Sequence, residues 1–276
     1  MGNSTITDLD DLAARVPDGA QVVVPPDYSG VAMAATRALL RRGVRGLHLV
    51  AMPTSGLQAD MLVGAGAVAM VEAASITMGE FGGAPCFVRA LREGRIAMRD
   101  ATCPALHSAL QAGQKGAPFM PIRGLLGSDI LAHRDDWRVI DNPFADGSDP
   151  VVLVPAIRPD VALFHAPLAD REGNVWIGVR RELLVMAHAA HATLVTVERV
   201  QDENLLDDPR TAAGTIPALY VSAVAEAAQG AWPLQLWGHY GLDGEHLRTY
   251  VAQARSDEGF AAYMAEHVTG KAEAAE

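Results

Sequence analysis

Cysteine is nearly absent. The 276 residues carry two, Cys86 and Cys103. Two thiols make neither a disulfide framework nor a Cys-rich zinc site, and they point to a reducing compartment. Excess positive charge is absent too. There are 22 Lys and Arg against 33 Asp and Glu, a formal net charge of -11. Capture of nucleic acid needs clustered cations, so that class is excluded. No apolar run is long enough to span a membrane. The start, MGNSTITDLDDL, lacks the basic region and apolar core of a signal peptide. MGNSTI fits a loose myristoylation pattern, but the Asp-rich flank argues for chance. The expectation is a cytoplasmic protein with no nucleic-acid or membrane partner.

Familiar catalytic signatures are missing as well. There is no G-x-x-x-x-G-K-[ST] phosphate loop, no H-E-x-x-H and no G-x-S-x-G. GAGAVA (64–69) holds a lone G-x-G, but it precedes a strand instead of opening a helix, the wrong context for a dinucleotide site. His188 and His191 lie three apart on a predicted helix without a carboxylate at matching spacing. No metal site is expected.

What is present is alternation. Short apolar runs at 21–25, 47–52, 68–74, 151–156, 161–166, 175–179 and 193–200 read as buried strands. Helical periodicity falls between them, at 8–16, 29–42, 58–63, 83–94, 104–113 and 181–190, with further helices at 222–228, 246–254 and 259–267. The punctuation agrees: Thr7 or Asp8 as a cap, Pro85 and Pro104 in first turns, Gly43 and Gly94 at helix ends. This pattern predicts an α/β fold, an open, mostly parallel sheet flanked by helices. A single domain over 1–268 is expected. The Pro/Gly/Asp loop DNPFADGSDP (141–150) marks a lobe boundary, and 269–276 is a polar Ala/Glu-rich flexible tail.

Three stretches ask for more than structure. GAPFMPIRGLLGSDIL (116–131) breaks a helix, runs extended through Pro121, and has Gly124 and Gly127 for tight turns. It reads as a buried loop that positions something, with Arg123 as its cation. ITMGEFGGAP (76–85) places Gly79, Glu80, Gly82 and Gly83 between a strand and a helix, where backbone amides and the helix dipole favour an anion. A plain strand-to-helix turn, with Glu80 as a cap partner, reads equally well. Asp170, Gly173 and Asn174 read as turn residues. Cys103 precedes Pro104 at a helix start. It is either a small lining residue or a thiol activated by the helix dipole.

PFMPIRGLLGSDIL, PAIRPDVALFHAPLADREGNV (155–175) and GHYGLDGEHLRTYVAQA (238–254) together resemble family I CoA-transferases, most of all A subunits of the glutaconate-CoA-transferase type. The resemblance runs from about Asp18 to Tyr263. It implies an active site shared with a homologous B subunit in an α2β2 assembly. Its substrates are a coenzyme A thioester and a carboxylic acid, with no permanently bound cofactor. The nucleophilic Glu belongs to the B subunit, in a Gly-rich motif not found here, so the catalytic residue of this chain is unknown. Substrate-binding candidates are Glu80, Gly82, Gly83, Cys103 and Arg123. PFMPIR and GLLGS also resemble heterodimeric hydrolases that open the last steroid ring of CoA-linked fragments, which carry a catalytic Glu near the position of Cys103. The alternatives are therefore half of a ring-opening CoA hydrolase, or a scaffold subunit without catalytic groups.

Overall fold

The structure is a computed structural model, and it describes residues 5–270. Along the chain run β1 (Thr5–Thr7), α1 (Leu9–Ala14), β2 (Gln21–Val24), α2 (Met33–Arg42), β3 (Leu47–Ala51), α3 (Leu57–Gly64), β4 (Val68–Ala73), α4 (Pro85–Arg92), β5 (Ala97–Asp100) and α5 (Cys103–Gln114). Then come β6 (Phe119–Ile122), β7 (Arg138–Asp141), β8 (Pro150–Pro155), β9 (Val161–Asp170), β10 (Val175–Trp176), α6 (Arg181–Ala189), β11 (Ala192–Gln201), α7 (Pro209–Ala212), β12 (Thr215–Ile216), β13 (Ala223–Glu226), α8 (Gly244–Gln253) and α9 (Asp257–Met264).

The main sheet has the path β1-β13-β11-β9-β2-β3-β4-β5, every neighbour parallel. Short β10 and β12 add an antiparallel flap on β9. A parallel sheet must be covered on both faces, and the side chains alternate accordingly. Val22, Val24, Leu49, Val71, Leu163 and Leu194 enter one core. Val23, Val50, Phe164, Val195 and Val224 enter the other, with α5 and α6. α8 and α9 form a third cluster, in which Tyr250 and Tyr263 pack with Met33, Met61 and Cys86.

The predicted caps are in place. Asp8 accepts from the Asp11 N–H at 2.7 Å, and Gly43 ends α2 with φ +76°. Asp60, buried in α3, accepts from the Cys86 and Phe87 N–H groups and from the Tyr250 hydroxyl. A carboxylate of the chain therefore already occupies the amide end of α4.

Four expectations change. The 222–228 segment is β13, not a helix. Its alanines favour a helix locally, but Ala223, Val224 and Ala225 are fully buried between β1 and β11, and tertiary burial overrides propensity. α2 starts at Met33 instead of Ser29, because Gly30 adopts φ +70°. The 175–179 strand stops at Trp176, before Gly178 turns with φ +55°. The 116–131 loop is not buried. It is strand β6 and a helical turn on the surface, with only Leu125 buried, because β6 lies at the edge of a separate antiparallel sheet, β6-β8-β7. The 141–150 loop joins β7 to β8, closed by Asn142 bonding Asp149. Of the expected tail, Thr269 ends the last helical turn and 271–276 lie outside the described residues, as do residues 1–4 of MGNSTI.

Candidate functional site

The chain winds outward through β2, β3, β4 and β5, returns, and inserts β9 on the other side of β2. The strand order reverses between β2 and β9. Ligands of open α/β sheets bind beyond the strand C-termini at such a switch point.

The loop after β2, Pro25-Pro26-Asp27-Tyr28-Ser29-Gly30, builds this edge. Gly30 has φ +70°, and a Cβ there would stand 2.0 Å from the His165 carbonyl oxygen. The close approach lets the Gly30 carbonyl accept the His165 N–H at 2.6 Å, tying the loop to β9. Asp27 accepts from the Gly56 and Leu57 N–H groups at the start of α3. Burial pushes its carboxyl up to about 7, although those two amides pull it down. The Ser29 hydroxyl donates to Glu182 in the first turn of α6. Tyr28 is left 43% exposed. Burial raises its phenol pKa, with the charges of Glu182 and Cys103 acting in the same direction and Arg180 in the opposite one.

A second network lies under this edge. His165, fully buried, has Nδ1 at 2.8 Å from the Thr196 hydroxyl and Nε2 at 2.8 Å from Glu198. Burial holds the imidazole below its ordinary pKa, so a neutral ring donating from Nε2 accepts from Thr196 at Nδ1. Glu198 also accepts from the Tyr240 hydroxyl at 2.7 Å and from the Gln229 and Gly230 N–H groups. Burial alone would raise its pKa, but these donors bring it down to about 2. Gly230 must be glycine here: a Cβ would meet the His165 ring at 2.5 Å.

The residues expected from sequence fall in several places. Glu80, exposed, lines a cleft of about 330 Å³ at the ends of β2, β3 and β4, with Asp27, Tyr28, Thr54 and Thr77. Its turn is closed by the Met78 N–H on the Gly82 carbonyl, and Gly79 (φ +60°) and Gly82 (φ +111°) supply the backbone angles. Gly83 lines a groove with Arg89, Arg92 and Arg255. The amides of α4 do not face an open anion site, since Asp60 takes them. Cys103 is exposed at the first position of α5, behind the Thr102 cap. Arg123 is elsewhere. It lines a cavity of about 480 Å³ on the small sheet, with Phe119, Ile140 and Phe144, and pairs with Asp149 at 2.5 Å. The structure thus places Glu80 in one cleft with Tyr28, while Arg123 and Gly83 line other cavities.

Among the described residues, no cluster of His, Cys, Asp and Glu could hold a metal ion, and no helix is long and apolar enough to cross a membrane. His188 stacks on Tyr220 instead, at 3.7 Å. Gly64 of GAGAVA serves packing: a Cβ there would meet Cys86 and Phe260 at 2.7 Å. Asp170 closes its turn by accepting from Glu172, Asn174 and Leu205 N–H groups. Sequence reading missed Asp27, Tyr28, Ser29, Glu182 and Glu198. The one available signal was the turn-rich PPDYSG directly after a buried strand.

The coenzyme A transferase family profile matches residues 6–227. The chain is 33% identical over 269 residues to the A subunit of 3-oxoadipate CoA-transferase from Pseudomonas knackmussii, covering 92% of this chain and 90% of the relative. It is 31% identical over 256 residues to the A subunit of glutaconate CoA-transferase from Acidaminococcus fermentans, covering 85% and 78%. The crystal structure of that organism's glutaconate CoA-transferase superimposes with a TM-score of 0.90 at 27% identity, covering 97% of this chain and 89% of the other. The cholesterol ring-cleaving hydrolase IpdA subunit of Rhodococcus jostii is 31% identical over 247 residues, covering 86% and 82%. The chain also spans 60% of a longer protein of Archaeoglobus fulgidus, at 34% identity. In sequence and in fold, this chain belongs to the coenzyme A transferase family.

Proposed function

We propose that this chain is the A subunit of a two-subunit CoA-transferase. It moves CoA between an acyl-CoA thioester and a carboxylic acid together with a homologous B subunit, in an α2β2 assembly in the cytoplasm. The observation that carries the division of labour is the state of the carboxylates at the switch point. Asp27 accepts from the amides of α3, Glu182 from Ser29, and Glu198 from His165, Tyr240 and the Gln229 N–H. Each is already a structural acceptor. Among these described carboxylates, only Glu80 lines the cleft without such a bond. Family resemblance assigns the attacking Glu to the partner, Glu80 is the residue of this chain to test against that assignment, and this chain supplies a wall of the pocket.

The chemistry is nucleophilic catalysis in balanced steps. The partner's Glu carboxylate attacks the acyl-CoA carbonyl, and CoA thiolate leaves a mixed anhydride. The thiolate returns to the glutamyl carbonyl and the acyl group departs as its carboxylate. The acceptor acid then takes CoA from the glutamyl thioester by the reverse sequence. Glu80, Gly82, Gly83 and Cys103 are proposed to contact substrate from this side, and Arg123 to contact a carboxylate or CoA across the small sheet.

The test is borohydride reduction of the complex after incubation with acyl-CoA, followed by peptide mapping. A reduced glutamyl residue on the B subunit is expected. An adduct on Glu80 of this chain overturns the assignment. The second reading is half of a ring-opening CoA hydrolase, favoured by the likeness to the IpdA subunit. It predicts no trapped glutamyl thioester and hydrolytic release instead.

A further inference from the structure

Arg180 has no part in the mechanism above. It is the last residue before α6. Its guanidinium carbon lies 5.4 Å from the centre of the Tyr28 ring and 5.3 Å from that of Trp237. Two aromatic rings hold a planar cation through its faces and leave its edge N–H groups able to donate.

Among the described residues, no protein acceptor satisfies this cation. Its Nε is buried without a hydrogen-bond partner. Glu182, two residues on, is engaged by Ser29. Some exposed arginines elsewhere are paired: Arg123 with Asp149, Arg171 with Asp202, Arg210 with Asp208. The half-buried Arg180, where an unpaired charge costs more, stands without a carboxylate among the described residues. A bound anion removes that cost. The place is also suitable. Tyr28 walls the 330 Å³ cleft on one side.

We propose that Arg180, held between Tyr28 and Trp237, binds two anionic oxygens of the substrate at this edge, either the carboxylate of the acid or a phosphate of CoA. The identity of the substrate rests on the transferase reading. The anion site itself does not.

The experiment is equilibrium binding of succinate and, separately, of CoA to the complex of this chain with its B subunit, followed by tryptophan fluorescence. It compares the natural protein, Arg180→Met and Arg180→Lys. A hydrogen bond to a charged group predicts roughly tenfold or greater weakening in Arg180→Met. Arg180→Lys restores part of the loss, since it keeps the charge without the fork. The probe that weakens identifies the source of the anion. In turnover, KM for that substrate rises with kcat retained. Equal binding of both probes by the natural protein and the Met variant overturns the proposal, as does binding of neither by the natural protein, or a fall in kcat with KM unchanged. Should Arg180→Met fail to fold, the Lys variant carries the comparison, and unweakened binding of both probes then overturns it. Absence of CoA transfer with anion binding intact overturns the transferase reading and leaves this site standing.

Discussion

Glu198 gathers three kinds of donor at one carboxylate: the His165 ring, the Tyr240 hydroxyl and the backbone N–H groups of Gln229 and Gly230. Its folded pKa of about 2 lies below the unfolded value near 4.5. A depressed acid stabilises fully above the unfolded value, and the contribution is lost as pH falls from about 4.5 towards 2. Glu198→Gln leaves buried donors poorly matched, and about 2–4 kcal/mol of stability should disappear at pH 7. The gap to the natural protein should narrow between pH 5 and pH 3 in chemical denaturation. A gap that stays constant over that range contradicts the assignment. The two thiols differ in the same local way. Burial, and then the Asp60 charge, pushes Cys86 up to about 12, while Cys103 is exposed. Iodoacetamide near neutral pH should label one thiol, Cys103, in the native chain and two after denaturation. Labelling of Cys86 in the native chain at a comparable rate contradicts this.

At the scale of elements, two glycines with similar angles do different work. Gly43 ends α2 with φ +76° and open space around it. Gly30 has φ +70° and no room, with the His165 carbonyl 2.0 Å from an added Cβ. Gly43→Ala should cost about 1 kcal/mol, the strain of a left-handed non-glycine residue. Gly30→Ala should cost about 3 kcal/mol or more, because the loop after β2 must part from β9. Urea denaturation compares them, and equal costs refute the argument. The first glycine was legible as a helix stop. The second was not, since its neighbour lies 135 positions away. β13 was misread for a related reason. Its alanines carry a local helix preference, and the decisive fact, burial between β1 and β11, is non-local.

For the whole molecule, insertion of β9 beside β2 creates the crevice and decides which loops meet there. Tyr28, Glu80 and the Arg180–Glu182 start of α6 come from separate segments, and their sequence separations reveal nothing of the meeting. Asp27, Glu182 and Glu198 at this edge are engaged within the chain, and the attacking Glu is assigned to the partner. The chain by itself should therefore exchange no CoA between an acyl-CoA and labelled CoA or acid, and exchange should appear on mixing with the B subunit. Exchange by the isolated chain would contradict the shared site. The small sheet adds a second feature absent from the sequence reading. Phe119, Val139, Ile140 and Phe144 are exposed there, Phe144 at 95%, which is why Arg123 sits among apolar side chains and not beside Cys103.

The sequence by itself determined the alternation of strands and helices, their caps, the doubly covered parallel sheet and the family, because these follow from periodicity, turn chemistry and motifs that are local. Only the tertiary structure decided where Glu80, Cys103 and Arg123 stand relative to one another, that Asp60 closes the amide end of α4, and that Arg180 lies against the rings of Tyr28 and Trp237. Those facts depend on strand order and side-chain contacts across the chain, and no local pattern encodes them.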